Sequence, residues 1–153
     1  MNFRGATGPS TSQLLEPFLM QCINWSGTST SFDELDQQAR SYVEDWGKEG
    51  DHAIIAWDGD KAVGAAWARF LPNGYGYIAD DIPELGVAVI PEYQGRGIAT
   101  KLISKLHSKL YDEGIESVCL SVNHGNPAAA LFAQLGYITA GESGNSSLMI
   151  ASI

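Results

Sequence analysis

Apolar positions recur with two rhythms along the chain, one helical and one alternating. Leu14, Leu15, Phe18, Leu19, Cys22 and Ile23 fall at helical spacing, and Pro17 must sit in the first turn of that helix or kink it. Gly27 to Ser31 follows as a loop. Ser31-Phe32-Asp33-Glu34 then fits a capping box, with Ser31 as the N-cap and Glu34 reaching back to it. Leu35, Ala39, Tyr42, Val43 and Trp46 extend one face of a second helix, which Gly47 can end. Phe3 to Thr7 predicts a short first strand. Ala53–Trp57 and Ala62–Phe70 predict two strands joined by a tight turn at Asp58-Gly59-Asp60-Lys61.

Pro72-Asn73-Gly74 marks a further turn, and Tyr75 to Ile78 begins another extended segment. Glu84 to Ile90 predicts a central strand. A long helix is expected from about Ile98 to Asp112, with Leu102, Ile103, Leu106 and Leu110 inward and Lys101, Lys105 and Lys109 outward. Gly114 stops it. Val118, Leu120 and Val122 alternate as a strand. Pro127 suits the first position of a short helix, with Asn126 as its N-cap, and Leu148-Met149-Ile150 closes the sheet. Strands first, then helix, strand, helix and strand, predict a mixed α/β layer fold.

The 153 residues suit one domain, 1–153, with one core. A net charge of −9 argues against a nucleic-acid partner, because binding to phosphate backbones rests on clustered Lys and Arg. It suits a cationic partner instead. No apolar run is long enough to cross a bilayer, and residues 1–10 lack the apolar core of a signal peptide. The expectation is a cytoplasmic protein without a membrane partner, in which Cys22 and Cys119 stay reduced. His52, His107 and His124 are scattered without ligand spacing, so no metal site is expected.

The densest chemistry lies in Glu84-Leu85-Gly86-Val87-Ala88-Val89-Ile90-Pro91-Glu92-Tyr93-Gln94-Gly95-Arg96-Gly97-Ile98-Ala99. A strand, a glycine turn and a helix start leave unpaired N–H groups and a positive dipole end, which together suit a phosphate. The nucleotide P-loop pattern is not met between Gly95 and Lys101. The dinucleotide fingerprint fails because Thr100 stands at the third glycine position. Gln/Arg-x-x-Gly-x-Gly/Ala is met at every position by Gln94 to Ala99.

That segment resembles the coenzyme A pyrophosphate loop of the GNAT superfamily of N-acetyltransferases. Asn126-Pro127-Ala128-Ala129-Ala130-Leu131-Phe132-Ala133-Gln134-Leu135-Gly136-Tyr137 resembles the same family's second signature. The resemblance implies a single-domain GNAT fold of the α/β (α+β) class, a mixed and mostly antiparallel sheet flanked by helices, with splayed central strands holding the cofactor. Those strands would be Glu84–Ile90 and Val118–Val122.

It further implies acetyl-CoA as co-substrate and no metal. The pantetheine arm would run along Val87, Ala88 and Val89, with a backbone N–H near Val89 polarising the thioester. The pyrophosphate would sit on the N–H groups of Gly95, Arg96, Gly97, Ile98 and Ala99, at the Gln94–Thr100 turn. Asn126 and Phe132 would touch the cofactor. Glu84 would be the base, with Asp80 and Asp81 as neighbours placed to share its role or attract a cation. Phe132 stands where many members carry a tyrosine that protonates the thiolate, so His124, Tyr93, Tyr75, Tyr77 or water is left for that role. Trp25 is a candidate for the acceptor pocket.

The expected acceptor is a small-molecule or peptide amine, attacked directly in a ternary complex, because neither cysteine sits in a nucleophile setting. A homodimer would be common for the family. Two alternatives stay open: a non-catalytic acyl-CoA sensor, and an enzyme using the same loop for a nucleotide or phosphosugar.

Overall fold

A computed structural model describes all 153 residues. Seven strands form one sheet, β1 (Asn2–Gly5), β2 (His52–Asp58), β3 (Lys61–Arg69), β4 (Glu84–Val89), β5 (Ser117–Asn123), β6 (Ile138–Ser143) and β7 (Ser146–Ser152). Their spatial order is β1-β2-β3-β4-β5-β7-β6. Every neighbouring pair is antiparallel except β4 with β5. Helices α1 (Thr11–Ile23), α2 (Gln37–Arg40), α3 (Ile98–Asp112) and α4 (Ala128–Gln134) complete the fold. No helix is long and apolar enough to cross a membrane.

The sheet carries a core on each face. α3 buries Leu102, Ile103, Leu106 and Leu110 on one side, together with Val63, Leu85, Val118 and Phe132. Each such side chain contributes about 1.5–3 kcal/mol relative to exposure. Lys101, Lys105 and Lys109 fall on the exposed face of α3, and Gly114, at φ 86°, ends it as expected. The other face packs Leu15, Phe18 and Leu19 of α1 against Ile55, Ala65 and Trp67, with Tyr42, Val43 and Trp46 beside them.

Four expectations change. Pro17 is the seventh residue of α1, because the helix begins at Thr11, ahead of the apolar stripe. The second helix is broken. Glu34 does accept from the Ser31 backbone N–H at 3.0 Å and from its hydroxyl at 2.9 Å, but this opens only a 3₁₀ turn, Phe32–Glu34. Asp36 then caps the four-residue α2 by accepting from the Ala39 N–H at 3.0 Å. Residues 41–45 continue as turns and end at Asp45, whose φ is 54°.

The stretch Tyr75–Ile78 forms no strand and lies in a loop between β3 and β4. The closing strand is a hairpin, in which β7 inserts beside β5 and β6 takes the edge. Pattern reading missed β6 because nearly all of it is exposed and little of it alternates.

Candidate functional site

Strands β4 and β5 share a single register pair, Glu84 with Cys119. The Cys119 N–H donates to the Pro83 carbonyl at 3.0 Å just before it. Beyond that rung the two strands part, and a cavity of about 1190 Å³ opens between them. The splay expected of the central strands is therefore present.

The open edge of β4 belongs to alternate residues. The Ile90 N–H donates to Val63 on β3 at 2.9 Å. A strand turns its main-chain groups to opposite sides at successive residues, so those of Val89 and Val87 face the gap. Their carbonyls are already engaged from α1 and the loop. Cys22 Sγ reaches Val87 O at 3.1 Å, Gln94 Nε2 reaches Val89 O at 2.9 Å, and Gln21 also donates to Val89 O. The N–H groups of Val87 and Val89 lie on that same open side.

A 3₁₀ turn, Pro91–Tyr93, leads from β4 into the glycine turn. Gly95 and Gly97 both hold φ 78°, a left-handed conformation that costs other residues about 1–2 kcal/mol. A Cβ built on either would meet nothing within 4 Å, so the turn is an open cradle. Gly97 is the N-cap of α3, which leaves the first N–H groups of a 15-residue helix facing it. Gly95, Gly97, Ile98, Ala99 and Thr100 all line the cavity.

Arg96 is not part of that lining. Its guanidinium donates to Glu92 O at 2.9 Å and stacks on the Tyr93 ring at 4.7 Å, away from the gap. The Gln94 amide likewise serves Val89, as above. Lys101 lies over Phe3, 4.9 Å from the ring centroid.

Glu84 lies at the closed end of the splay, 3% exposed. Its Oε2 accepts from the Tyr42 hydroxyl and from the Gly76 N–H at 3.2 Å, while Oε1 is buried without a partner. Burial pushes its pKa up to about 7, although the Tyr42 and Gly76 hydrogen bonds pull the other way. A carboxyl that titrates near neutrality in a cleft has the properties of a general base. The loop before β4 must come close to make this pocket. A Cβ at Gly74 would stand 2.2 Å from Glu84 Oε1, and one at Gly76 would stand 2.7 Å from the backbone of Leu120.

The remaining candidates divide. Phe132 is buried, lines the cavity and packs edge-on against Tyr137 at 5.9 Å. Asn126 also lines it, and its Oδ1 accepts from the Ala128 N–H at 2.9 Å, but α4 begins at Ala128 with Pro127 at its N-cap, one residue later than expected. Trp25 and Tyr75 reach the cavity wall, with Trp25 close to Gly125 across the mouth. His124 does not reach it and pairs with Glu142 at 2.7 Å on the surface. Tyr77 donates to Asp80 at 2.7 Å outside the cavity, and Asp81 is exposed. Tyr93 lines the rim, but its hydroxyl is committed to Asp58.

Burial pushes both thiols up, Cys22 to about 11 and Cys119 to about 12. Neither is a nucleophile at neutral pH.

Sequence reasoning missed Tyr42, which it placed in an apolar helical stripe. The available signal was the hydroxyl itself, since a buried tyrosine needs a polar partner. The pair Gly74 and Gly76 ahead of Glu84 was a second signal.

A family model described as the acetyltransferase (GNAT) family matches residues 19–137. A [ribosomal protein bS18]-alanine N-acetyltransferase of Haemophilus influenzae is 30% identical over 60 residues, 39% of this chain. The chain spans 41% of the length of that relative. Among solved structures, the ribosomal-protein-alanine N-acetyltransferase from Brucella melitensis superposes with a TM-score of 0.73 at 18% identity, over 100% of both chains. The PaiA N-acetyltransferase from Thermoplasma acidophilum, solved in complex with coenzyme A, gives 0.70 at 14% identity, again over 100% of both. At these identities the likeness is one of fold.

Proposed function

The chain belongs to the acetyltransferase (GNAT) family, and from that premise we propose that it moves an acetyl group from acetyl-CoA to a primary amine, with Glu84 as the base. One observation carries the reading. A single cavity joins an anion cradle and an open strand edge at one end to a buried carboxyl of raised pKa at the other.

The residues fit the proposed co-substrate. The main-chain N–H groups from Gly95 to Ala99 suit a diphosphate, and the open cradle at Gly95 and Gly97 lets it approach. The N–H groups of Val87 and Val89 suit the amide-bearing arm, and the Val89 N–H suits a thioester carbonyl. A donor so placed is worth about 3 kcal/mol in a transition state. Acetyl-CoA supplies the activated acetyl group. The neighbour solved with coenzyme A has the same fold, which supports the assignment.

Alkylamines arrive protonated at neutral pH, so a proton must leave nitrogen before attack. Glu84 accepts it, either directly or through one water. The N–C bond then forms as the C–S bond breaks, and the thiolate takes a proton from solvent, because Phe132 offers none. Glu34, Asp36 and Glu84 line the cavity while no Lys, Arg or His does, which favours an amine over an acidic acceptor. Two of the similar proteins are named as alanine N-acetyltransferases of a ribosomal protein. A peptide N-terminus therefore joins small amines among the acceptors to test.

The test is an acetyl-CoA-dependent screen over chemically diverse primary amines and peptide N-termini, with thermal shifts against coenzyme A, ATP and NAD. The expected result is transfer to at least one amine and stabilisation by coenzyme A alone. Stabilisation by ATP or NAD instead would overturn the proposal. Coenzyme A binding without transfer to any amine would point to an acyl-CoA sensor, the reading that Phe132 favours.

A further inference from the structure

We infer that Tyr42 is a positioning residue for the proposed base, fixing the Glu84 carboxyl through a hydrogen bond to Oε2. The inference rests on the role of Glu84 proposed above, and its geometry is that of a committed hydrogen bond. A tyrosine hydroxyl has one proton to give. At Tyr42 the acceptor side is filled, because the Tyr75 N–H donates to it at 2.9 Å, which leaves the proton directed at Glu84 Oε2. The Gly76 N–H falls on the same Oε2 at 3.2 Å. Both donors therefore serve one oxygen, and the other, buried and unpartnered, keeps its lone pairs free.

The tyrosine itself is held by three residues. Trp67 Nε1 donates to the Tyr42 carbonyl at 3.1 Å. The Tyr42 and Tyr75 rings stack at 5.9 Å with 14° between planes. Arg69 binds the carbonyls on either side, Ser41 O at 2.9 Å and Glu44 O at 2.7 Å, and so fixes the turn that carries the ring.

Burial and the adjacent Glu84 charge push the Tyr42 hydroxyl well above the usual tyrosine range, so it stays protonated and acts as a fixed donor. The other titratable groups facing Glu84 are Tyr75 from the loop before β4 and Cys119 on β5, both raised and neutral at working pH. Arg69, paired in register with Glu84 on β3, is engaged with Asp51.

A donor to the carboxylate favours its charged form, so removing the hydroxyl raises the Glu84 pKa. The experiment follows the Glu84 carboxyl by ¹³C NMR in the full chain, with and without Tyr42→Phe, alongside the pH dependence of kcat/KM. The substitution keeps the stacked ring. The expected titration moves up by about one pH unit, and the acidic limb of the rate profile moves with it. Turnover then falls about fivefold at pH 7 and returns to near parity by pH 9. 3-Fluorotyrosine introduced at position 42, a stronger donor on the same ring, moves the titration down, and so tests the inference even where the Phe variant folds poorly. A Tyr42→Phe carboxyl that titrates with the wild type, or a loss equal at every pH, overturns this inference. Wild-type turnover that ignores the Glu84 titration overturns the base assignment instead.

Discussion

At the loop end of the cavity the chemistry is main chain: N–H groups of Val87 and Val89 on an open strand edge, then those at Gly95–Ala99 in a left-handed glycine turn. Those groups come from one continuous stretch of thirteen residues, Val87 to Ala99. At the other end the chemistry is side chain and assembled from afar. Glu84 on β4, Tyr42 from a turn after α2, and Arg69 on β3 with Asp51 are brought together by the fold alone. The first end works because helix and strand geometry leave donors unpaired. The second works because burial raises the stakes of every polar contact. The two ends should therefore fail differently when altered.

The largest expected effect is at the side-chain end. Arg69 and Asp51 are a bidentate pair, 2% and 3% exposed, and Arg69 also binds the carbonyls of Ser41, Glu44 and Asp45. These carbonyls would otherwise be the unsatisfied end of a helix that never completes. Arg69→Met strands a buried carboxylate and is expected to cost about 3–5 kcal/mol in denaturant unfolding. A cost below 1 kcal/mol would show that the turn holds itself.

Next comes the pH dependence of stability. Burial raises Glu84 in the folded chain from the ordinary 4.5 to about 7. Between those values the folded chain keeps a proton that the unfolded chain has lost. The stability this contributes is complete below pH 4.5 and is lost as pH rises through 7. Wild type measured against Glu84→Gln should therefore lose up to about 3 kcal/mol across that window and then level off. A flat difference would mean Glu84 is an ordinary carboxylate, and one that rises with pH would mean that folding lowers its pKa.

The smallest effect on the fold belongs to the main-chain end. Gly97→Val forces a branched side chain to φ 78° in open space, which should cost about 1–2 kcal/mol of stability. Its Cβ stands in the proposed cradle, so coenzyme A affinity by calorimetry should fall about tenfold or more, a loss of at least about 1.4 kcal/mol. Undiminished affinity would place the diphosphate elsewhere.

The same contrast accounts for what the sequence made legible. The cradle, β4 and the bounds of α3 at Ile98 and Asp112 are local events, written in glycine spacing and a 3.6-residue period. The splay and the raised Glu84 are consistent with the family resemblance, but the partner of Glu84 lies 42 residues away. No period reports that separation. Leu35 to Trp46 has helical spacing, yet the Asp36 cap and the capture of carbonyls by Arg69 break it into a short helix and turns. Arg96 shows the reverse limit: the motif located its backbone, and the Tyr93 ring then drew its guanidinium aside.

On this reading one end of the cavity binds and the other moves the proton. The direct measurement pairs calorimetric coenzyme A affinity with acetyl-transfer rate in Glu84→Gln from pH 5 to 9. Affinity is expected to stay unchanged within about twofold while turnover falls about 10²–10⁴-fold. Full turnover across that range would contradict it.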